Sequence, residues 1–375
     1  MQAALYYSFG GPISVETIPI PSISSDGILI KVMATGVCRS DWHGWQGHDS
    51  DIQAHGLPFC PGHEVSGRVV QVGKEVKRFQ PGDRVAVPFI LSCGVCTYCC
   101  DDQRPTVCND QRQPGFTQFG SFAEYLAVPR ADRNVQPLPS GVSFVQAAAL
   151  GCRFTTAYRA VVQQGRLQPH LTLAVFGSGG VGLSCIMIAA ALQVRTIIAV
   201  DVNSRALEKA RKLGATHTIK APISGTYDDN NEAVRQRIFQ LTATNNEPQG
   251  SGAHVTIDAA GFRSTCENAI SCTRRGGRMI QVGLPSPNKQ APQVPMGLVA
   301  ARELELIGSH GFSSDDLSKL LDLVASKRLD PSLLVEREIT LKEGVQALQD
   351  MNTKSPLGVY MITKFRGEER SMSRL

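Results

Sequence analysis

The chain has 375 residues, which at roughly 150 residues per domain predicts two to three domains. Hydrophobic residues make up 42% of it and charged residues 19%, as in ordinary globular proteins, so wholesale disorder is excluded. The net charge of +5 is mild and the basic residues are scattered, which argues against a nucleic-acid partner.

Two further features narrow the class of protein. The apolar stretches are shorter than the ~20 residues that span a bilayer, and residues 1–11 carry no basic side chain. We therefore expect neither a membrane span nor a secretory signal peptide. Eleven cysteines in such a chain favour metal or catalytic roles over a disulfide framework.

The first part of the chain has short strands interrupted by glycine and proline. We predict strands at residues 28–33, 65–72 and 85–87, the last of them after a Gln-Pro-Gly-Asp turn. This pattern predicts a β-rich domain.

From about residue 172 short apolar strands alternate with helices. The strands are predicted at 173–176, 196–200, 255–259 and 279–282, and the helices at 181–192, 206–213 and within 224–250. Such alternation predicts parallel βαβ units and an α/β domain with a doubly wound parallel sheet.

The chain after residue 308 is too short to form a domain of its own. It carries two predicted helices, 317–325 and 341–351, and a last strand, 359–363. We expect it to return to the first half of the chain, which makes the doubly wound domain an insertion.

A glycine-rich turn, Gly177-Ser178-Gly179-Gly180-Val181-Gly182, links a predicted strand to a predicted helix. It fits the dinucleotide fingerprint, in which Gly177 permits the tight turn, Gly179 admits the pyrophosphate and Gly182 lets helix and strand pack closely. Asp201 ends the next predicted strand and can accept hydrogen bonds from ribose hydroxyls, which favours NAD; nearby Arg205 leaves NADP open. The alternative is a structural turn in an unrelated α/β domain.

Five cysteines lie within sixteen residues: Cys93, Cys96, Cys99, Cys100 and Cys108. Four of them on one loop can close a tetrahedral thiolate site around zinc, which contributes folding energy rather than chemistry. Reactive thiols or a redox pair would need only one Cys-x2-Cys, and a zinc ribbon normally has two separated pairs. Structural zinc is therefore the favoured interpretation of this lobe.

Other potential metal ligands stand between predicted strands: Cys38, Asp41, His43, His63 and Glu64, with Cys152 much later. Taken singly, the cysteines fit buried core positions and His63 fits a loop histidine with satisfied hydrogen bonds. The chain continues from His63-Glu64 as Val-Ser-Gly, so it lacks the H-E-x-x-H motif of zinc proteases at this point.

The segment Gly62-His63-Glu64-Val65-Ser66-Gly67, followed by Gly73 and Val76, resembles the zinc signature of the medium-chain alcohol dehydrogenases. The segment 38–43, the cysteine lobe, Gly151-Cys152 and the glycine turn follow in that family's order. The similarity extends over about residues 3–365.

The resemblance implies two domains with a cleft between them. Residues 1–153 and 308–375 would form a GroES-like catalytic domain, with the structural zinc lobe at about 88–110, and residues 154–307 an inserted Rossmann domain that binds NAD.

The same resemblance implies two zinc ions per chain. The catalytic zinc would be held by Cys38, His63 and Cys152, with Glu64 as an occasional fourth ligand and Asp41 orienting His63. The structural zinc would be held by Cys93, Cys96, Cys99 and Cys108. The family's lobe usually has seven residues between its last two cysteines, whereas eight separate Cys99 from Cys108, so Cys100 is an alternative to Cys99.

Further residues receive cofactor and substrate roles by the resemblance. Arg39 would approach the pyrophosphate, while Thr156, Val181 and Val282 would touch the nicotinamide side, and Gly180 belongs to the phosphate-binding turn. Trp42, Trp45 and Phe89 would line the substrate pocket, the alternative being ordinary core aromatics.

The implied reaction is the reversible oxidation of a primary or secondary alcohol to an aldehyde or ketone by hydride transfer to NAD. Zinc would serve as Lewis acid, and Ser40 and His43 would relay the proton to solvent. Polyol and formaldehyde dehydrogenases of the same family are alternatives, although polyol members often have glutamate where Cys152 stands. A non-catalytic zinc-binding redox sensor is the alternative from another class.

The remaining expectations concern partners and compartment. A small alcohol or aldehyde is the expected substrate, and we expect neither a membrane nor a nucleic acid as a partner. The family implies a homo-oligomer, with a tetramer favoured over a dimer. We expect a cytoplasmic protein. A peroxisome-like organelle is the alternative, because Ser373-Arg374-Leu375 resembles the Ser-Lys-Leu address.

Overall fold

The computed structural model describes residues 1–101, 104–223, 227–246, 248–285, 291–354 and 356–366, without the side chains of residues 227 and 229. The tripeptide Ser373-Arg374-Leu375 lies outside these residues. The chain divides into two compact units, one formed by residues 1–152 with the chain from Phe312 onward, the other by Arg153–Gly311. The predicted boundaries differ by one residue at the first junction (153 against 152) and by four at the second (307 against 311).

The bounds of the regular elements are as follows. The strands are β1 Gln2–Tyr6, β2 Ile13–Thr17, β3 Ile28–Gly36, β4 Glu64–Val72, β5 Arg84–Val87, β6 Tyr125–Val128, β7 Gln136–Pro137, β8 Thr172–Phe176, β9 Thr196–Asp201, β10 His217–Lys220, β11 Ala253–Asp258, β12 Thr273–Gln281, β13 Glu305–Gly308, β14 Val335–Thr340 and β15 Val359–Lys364. The α-helices are α1 Arg39–Trp45, α2 Ser50–His55, α3 Thr97–Cys100, α4 Ala131–Asn134, α5 Phe144–Ala149, α6 Thr155–Tyr158, α7 Gly180–Ala191, α8 Ser204–Lys212, α9 Tyr227–Leu241, α10 Arg263–Ser271, α11 Met296–Arg302, α12 Ser314–Ala325 and α13 Leu341–Asp350. Two π-helical segments, Leu150–Phe154 and Arg159–Gln164, flank α6, and two short 3-10 turns lie at Pro105–Val107 and Pro331–Leu334.

The first unit is built on a mixed sheet of the order β14-β15-β3-β4-β5-β7, with β6 also paired to β3. Strand β3 is buried along most of its length, as a central strand should be, and it pairs antiparallel with β4 in a register that sets Gly36 opposite Glu64. The end of β3 and the start of β4 are therefore neighbours. This register brings the segments before and after these two strand ends to one place.

The second unit is a parallel sheet with the order β10-β9-β8-β11-β12-β13 among the described residues. Numbered within the unit, this order is 3-2-1-4-5-6, the doubly wound arrangement in which ligands bind at the carboxyl ends of the strands. The predicted α/β fold class is confirmed. Helix α7 follows β8 and is buried from Gly182 to Ala189, which explains why its sequence is apolar on all sides.

Differences from the predicted elements occur in both units. The hairpin of β1 and β2 was not predicted, because β2 has only two apolar residues, Ile13 and Val15, of which only Ile13 is buried. Strand β12 begins six residues earlier than predicted (273 against 279), over an Arg-Arg-Gly-Gly segment whose composition does not favour strands. Among the described residues, no helix is long and apolar enough to cross a bilayer.

Candidate active site: two cysteine centres and a glycine turn

Three segments of the first unit bring four potential metal ligands together. Cys38 stands directly before α1, His63 and Glu64 lie at the start of β4, and Cys152 lies in the first π-helical segment. One ligand atom from each of these four residues lies within 4.8 Å of every other. Such spacing suits a single metal ion with tetrahedral coordination.

Two glycines leave the space that Glu64 occupies. A Cβ atom at Gly36 would lie 2.0 Å from the Glu64 Oε2, and a Cβ atom at Gly151 would lie 2.6 Å from the Glu64 Cα. Any larger residue at either position would displace the buried carboxylate or the strand that carries it. The site is therefore shaped by the backbone as well as by its ligands.

Asp41 is a buried carboxylate that holds the two ligand segments in place. Its Oδ2 accepts a hydrogen bond from the Cys38 N–H (3.0 Å), and its Oδ1 accepts one from the Gly62 N–H (2.9 Å). The same Oδ1 lies 2.8 Å from His63 Nδ1, so the imidazole donates there and directs Nε2 the other way. Asp41 thus has the contacts expected of a carboxylate that orients a metal-binding histidine.

The electrostatics at His63 favour a cation beside it. Burial on its own lowers the pKa of His63, but the negative charges of Asp41 and Cys38 outweigh burial and raise that pKa well above 6.5. Within the described part of the chain, the buried His63 Nε2 makes no hydrogen bond. A nitrogen of this kind beside two sulfur atoms matches the donor set that zinc prefers, so the residues present fit the expected metal.

The second cysteine centre is the lobe formed by Cys93, Cys96, Cys99 and Cys108. Their ligand atoms also lie within 4.8 Å of one another, with Sγ–Sγ distances of 3.9 Å for Cys93–Cys99, 3.5 Å for Cys96–Cys99 and 3.8 Å for Cys96–Cys108. Four sulfurs at these distances make a closed, all-thiolate arrangement typical of structural zinc.

Backbone N–H groups direct the lobe sulfurs inward. The Cys96 N–H donates to Cys93 Sγ (3.3 Å) and the Cys93 N–H donates to Cys108 Sγ (3.3 Å). Hydrogen bonding, first of all from the Asn109 N–H, lowers the pKa of Cys96 to about 6, which favours the thiolate that a metal requires. Cys100 is exposed, and its Sγ points to the Gly94 carbonyl oxygen (3.2 Å) rather than to the cluster. The group that comes together therefore contains Cys99.

The glycine turn lies at the carboxyl end of β8 in the second unit. Gly177 has a φ of +93°, and a Cβ atom at Gly182 would lie 1.8 Å from the Gly177 carbonyl oxygen, so both positions require glycine. Asp201, at the end of β9, accepts hydrogen bonds from the Ser178 N–H (2.6 Å) and the Asn203 N–H (2.7 Å). Asp201 therefore braces the turn.

The other residues of the second unit that were predicted to bind the cofactor lie near the start of helices or the ends of strands. Gly180 and Val181 open α7 after Gly179, and Thr156 is buried in α6. The Val282 N–H donates to the Asp258 carbonyl oxygen (3.0 Å), which places Val282 just after the carboxyl end of β12. Arg205 lies in the first turn of α8 and its N–H donates to Asn203 Oδ1 (2.9 Å).

The predicted relay residues lie on α1. Ser40 is half-buried, and His43 is exposed with its Nδ1 3.1 Å from the Nδ1 of His48. The ring of Trp42 contacts both imidazoles edge-on, at centroid distances of 4.9 Å to His43 and 5.7 Å to His48. His48 was not singled out from the sequence, because no motif marks it.

The predicted pocket aromatics and Arg39 have different surroundings. The Arg39 guanidinium lies 3.7 Å above the Trp42 ring and donates to the Met351 carbonyl oxygen. Phe89 packs edge-on against His63, with a centroid distance of 5.8 Å. Trp45 is only 3% exposed, lies in the hydrophobic core of the first unit and donates through Nε1 to a carbonyl oxygen, as core tryptophans do.

Comparison with known protein families supports the expectations from the sequence. Residues 24–140 match the model described as "Alcohol dehydrogenase GroES-like domain", and residues 180–326 match "Zinc-binding dehydrogenase". Together these matches cover parts of both units.

Individual relatives match over nearly the full chain. A "Sorbitol dehydrogenase" of Bacillus subtilis is 33% identical over 338 residues, covering 90% of each chain. A "NAD-dependent alcohol dehydrogenase" of Sulfurisphaera tokodaii is 32% identical over 366 residues, covering 96% of this chain and 98% of the relative. The solved structure of an alcohol dehydrogenase from Thermus sp. ATN1 superimposes with a TM-score of 0.83 at 28% identity, covering 97% of this chain and 100% of that one. The chain belongs to the zinc-dependent alcohol dehydrogenases of the medium-chain dehydrogenase/reductase family.

Proposed function

We propose that this chain is an NAD-linked alcohol dehydrogenase that interconverts a primary or secondary alcohol and its aldehyde or ketone. The observation that carries this proposal is the buried group of Cys38, His63 and Cys152, with a histidine nitrogen that has no hydrogen-bond partner within the described residues. The chain combines this group with a dinucleotide-type glycine turn. Metal and dinucleotide together are the requirements of hydride transfer from an alcohol.

The metal ligands have distinct tasks in this proposal. Cys38, His63 and Cys152 would hold the zinc, and Glu64 would be available as an alternative fourth ligand. When bound, zinc polarises a carbonyl oxygen or lowers the pKa of an alcohol. Asp41 keeps the proton of His63 on Nδ1 and so keeps Nε2 available to the metal.

The proton leaves through residues of α1. Ser40 and His43 are three positions apart, so they lie on the same side of the helix. We assign the Ser40 hydroxyl to the proton at the substrate oxygen, and the exposed His43 to its transfer to solvent. His48, at 3.1 Å, limits the orientations of the His43 ring.

The cofactor is NAD rather than NADP in this proposal. The Asp201 carboxylate ends β9, where its charge would repel a 2′-phosphate, while ribose hydroxyls would donate to it. Arg205, in the next helix, is the residue through which NADP would be accepted instead. The lobe cysteines hold a second zinc that stabilises the fold and takes no part in the reaction.

A polyol is the second candidate substrate, because the Bacillus subtilis relative is named a sorbitol dehydrogenase. Phe89 and Phe116 pack on His63, and these apolar rings favour a simple alcohol over a polyhydroxylated one. The thiol-dependent formaldehyde dehydrogenase and the non-catalytic sensor are the remaining alternatives.

We also propose that the protein is a homo-oligomer, a tetramer rather than a dimer. Its proposed compartment is the cytoplasm. Strand β13 is an edge strand of the parallel sheet among the described residues, and Leu306 on it is 37% exposed. Exposed edge strands pair readily with a second copy. Light scattering on the purified protein measures the number of subunits, and a Leu306→Lys variant should lower it.

One experiment tests the catalytic proposal. The purified protein is assayed with primary, secondary and polyhydroxy alcohols, each with NAD and NADP, before and after chelation, with metal content measured in parallel. We expect two zinc ions per chain, NAD-dependent oxidation of simple alcohols, and loss of activity on chelation that added zinc restores. Activity unaffected by removal of all zinc would overturn the proposal, and a preference for polyols would select the second candidate.

A further inference from the structure

Arg153 is a buried arginine at the start of the second unit. It directly follows Cys152 in the π-helical segment, and only 6% of its surface is exposed. A guanidinium stays charged at every accessible pH, and charged side chains are almost never buried to this extent unless they are paired. The sequence did not single it out, because one arginine next to a metal ligand matches no motif.

The guanidinium of Arg153 lies beside the glycine turn. Its Nη1 is 3.5 Å, and its Cζ 3.7 Å, from the position that a Cβ atom of Gly180 would take. Gly180 is the first residue of α7, and Gly179 caps it. The arginine head therefore flanks the first turn of this helix.

This position adds positive charge where positive charge already accumulates. The N–H groups of a helix's first turn have no partner within the helix, and the helix dipole places about half a positive charge there. An anion that binds at this end of α7 is therefore attracted both by the helix terminus and by the guanidinium beside it.

The geometry also leaves room for such an anion. Among the residues that the structure describes, no atom beyond the neighbouring residues of the turn lies within 4 Å of the position that a Cβ atom of Gly179 would take, so the space there is open. The fingerprint predicts the dinucleotide pyrophosphate at this end of the helix. The planar fork of an arginine can donate two parallel hydrogen bonds to a phosphate.

We infer that Arg153 is a cofactor-binding residue that contacts the pyrophosphate of the dinucleotide, together with the first-turn N–H groups of α7. The inference rests on the proposed function, since it takes NAD to be the ligand of the turn. Its consequence is selective: Arg153 contributes to binding of ligands that carry the diphosphate and little to binding of adenosine alone.

Three variants test this role. Arg153→Gln removes the charge, Arg153→Lys keeps the charge but loses the fork, and Arg195→Gln is the matched control. Arg195 is exposed and stands just before β9, at the opposite end of the sheet from the glycine turn. Zinc content and melting temperature are measured for each, so that a structural effect is seen separately.

The readout is binding rather than turnover. Dissociation constants are measured for NADH by fluorescence and for ADP and adenosine by displacement of NADH, at low and high salt. We expect Arg153→Gln to weaken NADH and ADP binding about 10- to 100-fold at low salt, and adenosine binding less than twofold. Arg153→Lys should give an intermediate loss, and Arg195→Gln none.

Two results would contradict the role inferred for Arg153. Unchanged ADP binding in Arg153→Gln overturns the inference, and so does an equal loss of ADP and adenosine binding, which indicates a structural role. Should Arg153→Gln not fold, Arg153→Lys decides by the same comparison of ADP with adenosine. Failure of the unaltered protein to bind NADH at all would refute the proposed cofactor instead.

Discussion

The two cysteine centres of the first unit differ in how the chain builds them. The lobe takes its four sulfurs from residues 93–108, a loop segment that includes the short helix α3 and the 3-10 turn Pro105–Val107. The other centre takes Cys38, His63 and Cys152 from three distant segments and adds the Glu64 carboxylate. The lobe sulfurs are oriented by N–H groups of neighbouring residues, whereas His63 is oriented by a side chain 22 residues away.

In the proposed function, this difference separates a structural site from a reactive one. A local, all-sulfur site can close around an ion with few other contacts, so the ion stabilises the loop. A site assembled from distant segments depends on the fold that brings those segments together, and the proposal assigns Glu64 to it as an alternative ligand. The following variants sharpen or break this comparison, from the largest expected effect to the smallest.

Replacing a ligand of the dispersed centre should have the largest effect on activity. In Cys152→Ser we expect kcat/KM to fall by at least about 10³-fold, because the metal supplies several kcal/mol of charge stabilisation. Zinc content should fall from two ions per chain to one, because the lobe is untouched. Full activity in a variant that has lost this zinc would contradict the assignment.

Replacing a lobe ligand should mainly lower stability. We expect Cys99→Ser to lose the other zinc ion and to lower the Tm by roughly 10 °C, because structural zinc contributes several kcal/mol to folding. The neighbouring Cys100→Ser is the matched control, and it should keep both ions and the Tm. The reverse pattern would show that Cys100 is the ligand.

Asp41→Asn tests whether the dispersed centre depends on its supporting carboxylate. The side-chain amide of asparagine has one oxygen and one NH₂ group, whereas both oxygens of Asp41 accept hydrogen bonds. The NH₂ group would face a donor, so the orientation of His63 would be less well fixed. We expect zinc affinity at this centre to fall about 10- to 100-fold, measured by chelator competition, with activity recovered by added zinc. Asp49→Asn, at the N-terminus of α2, is the control that should change neither value. An unaltered affinity in the Asp41 variant would reduce Asp41 to a structural role.

The smallest effect is expected from the proton relay. In His43→Gln, activity should fall by roughly tenfold at pH 6 and by less at pH 9, because hydroxide then takes the proton that the imidazole accepted. The measurement is kcat against pH for both proteins, with His55→Gln as a control histidine of the same unit. Parallel pH profiles for wild type and variant would remove His43 from the relay.

The predictions from the sequence agree best with the structure for elements that are defined by residues close together in the chain. The doubly wound sheet, the glycine turn and the lobe were all predicted from local patterns, and the parallel order of the second unit is as expected. The bounds of α7 differ from the prediction by one residue at each end, 180–191 against 181–192. Both the periodicity of apolar residues in a helix and the residue types that favour a turn can be recognised within a short stretch of sequence.

The predictions agree less well with the structure where contacts between residues distant in the chain determine the conformation. Strand β2 has only two apolar residues, and it is held by its pairing with β1. The start of β12 lacks the apolar alternation that marks a strand, and it joins the sheet through the pairing of Thr273 with Ala253. Arg153 and His48 follow the same rule. Neither residue type nor spacing marks them in the sequence, and only their neighbours in the folded chain do, Gly180 for Arg153 and His43 for His48.

The amino-acid order alone determined which ligands are available, which turn can hold a dinucleotide and which family these motifs resemble. Tertiary structure decided that Cys99 rather than Cys100 joins the lobe, that Trp45 packs in the core, and that a buried guanidinium flanks the first turn of α7. The physical reason is distance along the chain: turn chemistry, local hydrogen bonds and side-chain period depend on residues within one helical turn or one strand. Burial and electrostatic fields sum over residues that folding alone brings within a few ångströms.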